Sequence, residues 1–398
     1  MLGIAIRIAQ RMGIHSESAL ARCTPFEGEM RRRLWWSLVL FDSRANELAD
    51  FKNIVLSPTW DCRIPINVSD SELLPNMKEL PRAQRGSTDT LFAVVHSELG
   101  DFIRNTSFYL EFTNPLLKPL ARHATSGPTP ANSELIGLEE KIENEYLEFC
   151  DLENPVHFMT TWMARGWLAK YRVMEYHSRY SSTTPQTEAQ KNTAVSYALK
   201  MLECDSKIIT SPLTKGFTWL VRFYFPFPAY ILIVQSLKQR PICDQADYAW
   251  KIMSKNCDAH FGAAIGDLHI PLFKLFSSVI LQAWEAREKA IKEMGMSLVM
   301  PKIVIDIKRI LLQREQKELD LEVKQRSDDT DMGSDDFSMS MPMGSGRQYS
   351  IGDQGGYIPT DSGMYSYMNG LDLMDLGLSQ LDWPAVGYPD WGSWCYSF

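Results

Sequence analysis

The sequence lacks the residue groupings on which most enzymes and metal centres are built. Its 398 residues contain no GxSxG, no HExxH, no P-loop and no GxGxxG opening a helix. An enzyme reading is thereby reduced to a site assembled from distant residues. Cysteine is sparse and dispersed: Cys23, Cys62, Cys150, Cys204, Cys243, Cys257 and Cys395 form no CxxC pair. That spacing signals neither a zinc site nor a disulfide framework, and isolated thiols fit a reducing compartment. The seven histidines are equally scattered. His260 and His269 are too far apart to act as ligands on one helix face, and Asp258 and His260 point to different sides of a helix. Each histidine reads as a packing or surface residue. No secretory signal is visible. No apolar run reaches the ~20 residues of a membrane span. The nearest, residues 217–234, is interrupted by Arg222, Pro226 and Pro228 and reads as a buried, kinked helix pair.

Lysine and glutamate are missing from residues 327–398, where eleven Asp stand against one Arg, a charge of −10. The preceding 326 residues carry +2, so the net charge of −8 belongs to the tail. With 45% apolar residues overall, the rest can build a sizeable core. The tail is rich in Gly, Ser, Asp, Met and Tyr, and buries too little apolar area to offset chain entropy, which predicts disorder. Its end reads LDLMDLGLSQLDWPAVGYPDWGSW (residues 371–394), with Asp interspersed among Leu371, Leu373, Met374, Leu376, Leu381, Trp383, Trp391 and Trp394. That acidic–hydrophobic alternation is the composition of an activation segment, in which the acids keep bulky groups solvated and available to a partner's groove.

Period-two alternation is rare in residues 1–326 and helical spacing is common, so the fold class is all-α with nine or ten helices. Ile4, Ile8 and Met12 mark a first helix, ended by Gly13. No capping residue precedes it, and the domain reads as one whose front part lies upstream. Met30, Leu34, Leu38, Phe41, Ala45 and Leu48 mark one face of a long second helix, widened by Trp35 and Val39. Thr24 is its candidate cap, with Pro25 at the first position and Glu27 three residues after Thr24, as in a capping box. A proline-punctuated loop follows at 52–85. Further helices are predicted at 88–112, at 156–180, 188–209, 217–237, 245–261 and 272–294, and as a charged closing helix at 302–325. Another carries Leu135, Leu138, Ile142, Tyr146 and Phe149, after a polar linker at 125–133.

The second helix holds the stretch FEGEMRRRLWWSLVLFD, residues 26–42. Glu27 precedes Arg31 by four, and Glu29 precedes Arg32 and Arg33 by three and four. That is the favourable order on a helix, at roughly 0.2–0.5 kcal/mol per pair. A phosphate-gripping surface needs unpaired positive charge, so these arginines read as structural. Asp42 shares a flank with Trp35, and a carboxylate there needs a partner inside the fold.

Two stretches, AIRIAQRMGIHSE (residues 5–17) and PFEGEMRRRLWWSLVLFDSR (residues 25–44), resemble the middle homology region of fungal-specific transcription factors. Those regulators usually carry an N-terminal binuclear zinc cluster. Ala5, Arg7, Ala9, Gly13, His15, Glu29, Arg31, Arg32, Arg33, Trp35, Trp36 and Asp42 fall on the family pattern, and Pro65, Asn67 and Asp70 match its next segment. Residues 223–241 and Ala249–Trp250 look like later helices of some members. Two departures stand out. Asp50-Phe51-Lys52-Asn53 replaces a Gly-Arg-Pro turn, and no cluster of six cysteines occurs.

The resemblance implies a helical regulatory domain over 1–326 followed by the tail at 327–398. It implies a nuclear regulator of RNA polymerase II genes, including metabolic or secondary-metabolite clusters. Within it Glu29, Arg31, Arg32, Arg33, Trp35, Trp36 and Asp42 are a structural signature. The implied partners are the transcription machinery or a coactivator through the acidic tail, and a second copy as a homodimer. DNA is a partner only through a zinc-cluster segment or a protein that supplies one. No cofactor is expected in this chain, since zinc belongs to a full-length member. The alternative is a helical metabolite-sensing or inhibitory module without DNA-binding activity of its own. Its pocket would be lined around Trp219 to Tyr230.

Overall fold

The helical period carries over into structure: among the described residues there are twelve α-helices, short 3-10 turns and no strand. The computed structural model describes residues 1–49, 59–106, 133–180, 186–262 and 270–331. The α-helices are α1 (Leu2–Arg11), α2 (Glu17–Leu20), α3 (Pro25–Ala49), α4 (Leu91–Asn105), α5 (Ser133–Glu145), α6 (Pro155–Tyr180), α7 (Glu188–Thr210), α8 (Thr218–Phe223), α9 (Phe227–Gln239), α10 (Ala246–His260), α11 (Ile270–Glu293) and α12 (Lys302–Asp331). The expected turn at 50–53, the linker up to residue 132, His269 and residues 332–398, with all eight side chains of the activation segment, lie outside the described residues.

Contacts divide the chain into two units, one through Ile307 and one that opens at Lys308 within α12. The second is, in its described part, a continuous helix to Asp331.

In the first unit, α1, α2 and α3 close around Ile6, Ala9, Ile14, Leu20, Trp35, Trp36 and Val39. Trp60 and Cys62 join this cluster from a strap at 59–90. The strap is the expected loop, but it is built in: Cys62, Asn67, Val68 and Leu73 are buried. The expected apolar face of α1 is turned the other way, and that of α3 is turned in part. On α1 the buried residues are Ile6 and Ala9, whereas Ile4, Ile8 and Met12 are each more than half exposed. On α3, Met30, Leu34 and Phe41 are exposed, whereas Trp35 and Val39, expected to widen that face, are buried together with Glu29, Arg32, Trp36 and Asp42. Apolar periodicity assigns a face by counting apolar groups; it errs here because the inward face carries charges that neutralise one another. Gly13 terminates α1's turn at φ +73, a conformation that favours glycine.

The next cluster joins α4 (Leu91, Val95, Leu99, Ile103), α5 (Leu135, Leu138, Ile142) and α6 (Ala164, Leu168, Tyr171). Their spacings of three and four are those of one helix face. Phe149, expected on the α5 face, instead lies at the end of a 3-10 turn, Leu147–Phe149, and is exposed. α6 packs along α7, and α7 in turn supports α9 and α10, with α11 against α9. α7 starts with a reciprocal box in which Gln190 N donates to Thr187 Oγ1 and Gln190 Oε1 accepts from Thr187 N. The expected kinked pair is present. Pro212–Phe223 and Phe227–Gln239 meet at 70°, and α9 buries Phe227, Tyr230, Ile233 and Val234. No single helix among the described residues is long and apolar enough to cross a membrane.

Candidate functional site

The charged signature residues are paired within the fold rather than forming an open basic patch. Thr24 Oγ1 accepts from Glu27 N at 3.2 Å and caps α3. Arg31 donates to Glu27 at 2.6 Å and to Cys23 Sγ at 3.2 Å. Arg32 reaches away from its own helix: its Nε and Nη2 donate to the two oxygens of Glu17, at 2.8 Å each. Glu17 also accepts from Arg63 N at 2.9 Å and Arg63 Nε at 3.0 Å. These bonds, led by those from Arg32, hold the Glu17 carboxyl down at about 2. Glu29 is fully buried. It accepts from Ile66 N at 3.1 Å and lies 3.5–3.6 Å from the guanidinium groups of Arg33 and Arg32. Burial outweighs those partners and raises its pKa. Arg33 donates to Asp70 at 2.7 Å.

The two signature segments therefore meet. Trp36 Nε1 donates to Arg63 O at 2.9 Å, and Trp60 packs edge-on to Trp35 and Trp36, at 5.7 and 6.2 Å. Asn67 Nδ2 donates to Gln84 O and Gly86 O, at 3.0 and 2.7 Å, and its Oδ1 accepts from Thr88 at 2.6 Å. Asp42, which needed a partner, accepts from Arg104 Nη2 on α4 at 2.8 Å. That guanidinium lies 5.5 Å from the Trp60 ring. Residues 17, 32 and 63 thus tie α2, α3 and the strap together, and residues 42 and 104 tie α3 to α4.

A second feature is a cavity of about 60 Å³ between α6, α7 and the bend between α8 and α9. Its wall includes Trp162, Gly166 and Trp167 from α6, Cys204 and Asp205 from α7, and Tyr224 and Phe225 at the bend. Arg44 closes one side, donating to Phe223 O at 2.7 Å with its guanidinium 5.3 Å from the Tyr224 ring. Asp205 is held from behind: its Oδ2 accepts from Asn256 Nδ2 at 2.6 Å and meets His260 Nε2. Asn256 also donates to Ser206 and accepts from Tyr230 OH at 2.8 Å. Nearby, His96 is stacked on Trp167 at 4.7 Å and against Phe92 at 4.0 Å. Desolvation lowers it to about 3, so it is neutral at pH 7.

Among the described residues no group of three His, Cys, Asp or Glu is placed to hold a metal. Burial pushes the Cys62 and Cys204 thiols up to about 12 and about 11, and a protonated thiol is neither a good nucleophile nor a metal ligand. Sequence reasoning named the arginines, the tryptophans and Asp42 but not Glu17, Arg104 or Asp205. For Asp205 a signal existed: Asp205 and Ser206 interrupt the apolar series Leu199, Leu202, Ile208 within one helix. Of the expected pocket lining, Tyr224 and Phe225 face the cavity, whereas Trp219 is exposed.

The chain is similar to fungal transcription regulators. It is 49% identical to Transcriptional regulator AacuB of Aspergillus aculeatus over 317 residues, 79% of the chain and 42% of that relative. It is 44% identical to Transcriptional regulator nsrM of Aspergillus novofumigatus, over 77% of the chain and 41% of the relative. To the Aurofusarin cluster transcription factor aurR2 of Gibberella zeae it is 29% identical, over 75% of the chain and 44% of the relative. The chain thus spans about two fifths of the length of the curated relatives it matches. These relatives are named as regulators, not enzymes. No protein-family model matches the chain, and no solved structure matches it.

Proposed function

We propose that this chain is the helical regulatory part of a fungal zinc-cluster transcription regulator that controls a set of secondary-metabolite genes transcribed by RNA polymerase II in the nucleus. The observation that carries the reading is the 49% identity to a named transcriptional regulator over 79% of the chain. One relative is named for a single biosynthetic cluster, and that is the source of the gene-set assignment. The α2–α3–strap network gives the regulatory domain a rigid frame, and the acidic tail at 327–398 recruits the transcription machinery. Zinc and DNA contact belong to a cysteine cluster that this sequence does not contain, or to a partner. Disruption of the gene followed by transcript profiling tests the proposal. The expected result is a coordinate loss of transcripts from one contiguous set of biosynthetic genes. Unchanged transcripts from every such set would refute it.

A further inference from the structure

Helix α12 keeps an apolar row that the fold does not cover. Its inward residues Ile303, Val304, Ile307 and Ile310 are buried, whereas Ile305 and Leu312, turned away from them, are 49% and 65% exposed. Leu319 continues the same seven-residue spacing within the helix, and such a row drifts only ~20° per heptad around an α-helix. The described part of the second unit is this helix alone, and a helix gains most of its stability by packing an apolar face. The charges beside the row decide what fits it. Lys308 and Glu315 are both exposed, and neither has an ion-pair partner among the described residues. Three and four residues from Lys308 stand Val304, Ile305, Leu311 and Leu312; from Glu315, Leu311, Leu312, Glu318 and Leu319. Neither therefore finds an opposite charge on its own helix. Both lie on one flank of the row, Lys308 four residues before Leu312 and Glu315 three after it. When two such helices pair antiparallel about Leu312, each flank meets the same flank running backwards. Lys308 then comes level with Glu315 of the second copy to within one residue, ~1.5 Å, and the two-fold axis repeats the pair. Ile305 comes level with Leu319, and Leu312 with itself. Parallel pairing instead sets Lys308 beside Arg309 and Glu322 beside Asp320, like against like. The acidic tail of the same chain is a poor match, since residues 327–398 hold eleven Asp, one Arg and no Lys, and so bring repulsion to Glu315. We infer that α12 is a self-association surface on which a second copy of the chain packs antiparallel, Leu312 at the two-fold axis, Ile305 against Leu319 and Lys308 against Glu315. The inference requires only the folded chain and is independent of the transcriptional role.

The test follows self-association of the full chain by sedimentation velocity from about 2 to about 200 μM. So few apolar groups make a weak, transient interface, and the expected monomer–dimer Kd is on the order of 10–100 μM. Leu312→Asp sets two carboxylates face to face at the axis and is expected to weaken the dimer more than about tenfold. Leu312 is exposed in the single chain, so the melting temperature at low concentration should not move. Lys308→Glu and Glu315→Lys each create two like-charge contacts and should each weaken the dimer about tenfold. The double variant restores both pairs in reverse and should return to within about threefold of the native chain. A purely structural role for either residue would not produce that rescue. The direction of pairing is read by cross-linking under mild oxidation, with the native chain as baseline. Leu312→Cys should form a covalent dimer, whereas Ile305→Cys should not, because the two copies of residue 305 lie ~20 Å apart along the helix axis. A full chain that stays monomeric to about 200 μM, its α12 face covered by the tail or by another protein, would overturn the inference. So would an undisturbed Leu312→Asp dimer, a double charge variant no tighter than its singles, or cross-linking through Ile305→Cys.

Discussion

The Asp42–Arg104 pair is the sharpest place to perturb the frame. Both side chains are about 2% exposed, with Nη2 2.8 Å from Oδ2. At an effective dielectric constant of about 20, that separation gives an attraction of roughly 6 kcal/mol. Desolvating two ions costs several kcal/mol each, so the pair is close to neutral in net terms. The asymmetry appears when one partner is removed. In Asp42→Leu, Arg104 keeps a buried charge whose Nε and Nη1 already have no hydrogen-bond partner. The expected loss is about 3–5 kcal/mol. In the double variant Asp42→Leu/Arg104→Met, no charge is stranded, and the loss should fall to about 1–2 kcal/mol. Urea unfolding followed by circular dichroism reads this directly. With a slope of about 3 kcal/mol/M, the single variant should lower the midpoint by roughly 1–1.5 M and the double variant by about half a molar or less. A single variant that unfolds within about 0.3 M of wild type, or a double variant as damaged as the sum of its singles, would refute the reasoning.

Three further outcomes are expected. The Glu17 carboxyl is held near 2 in the folded chain against an ordinary 4.5; its contribution is present above pH 4.5 and is lost as pH falls toward about 2. Glu17→Gln should cost about 2–3 kcal/mol at pH 7, and its deficit in urea unfolding should narrow below pH 4.5. His96 takes up its proton near pH 6.5 when unfolded but only near 3 when folded, so stability should decline as pH falls from 6.5 toward 3, by up to about 1.4 kcal/mol per pH unit. His96→Phe should flatten that slope between pH 6 and about 4.5; an unchanged slope would contradict the assignment. Gly13→Ala forces a side chain into φ +73 and sets its Cβ 2.9 Å from Ala19 Cβ. It should lower the melting temperature, at a cost of about 1–2 kcal/mol.

Much of the helical layout was legible because it depends on local spacing and breakers. Residues 188–209 were expected as one helix, and α7 runs Glu188–Thr210; Pro226 and Pro228 announced the bend after α8. What was not legible is which face turns inward. On α3 the apolar count pointed to Met30, Leu34 and Phe41, yet the core takes Glu29, Arg32 and Asp42. Their charges are cancelled by Glu17, Ile66 N and Arg104, which lie on other elements. No spacing within α3 encodes those partners. The strap posed the same difficulty. Prolines marked it as irregular, but Trp60 and Val68 are buried through tertiary contacts with α3 and through hydrogen bonds to Thr90. The cavity is a product of assembly, lined by residues of α6, α7 and the bend that are far apart in sequence.

The proposed role is tested most directly by tethering. The full chain, and the chain ending at residue 326, are each fused to a heterologous DNA-binding domain and assayed on a reporter in a fungal host. Activation by the full chain, its loss in the shortened chain, and activation by residues 361–398 alone are the expected results. A silent full chain, or undiminished activation without residues 327–398, would contradict the assignment of the acidic tail as the activating element.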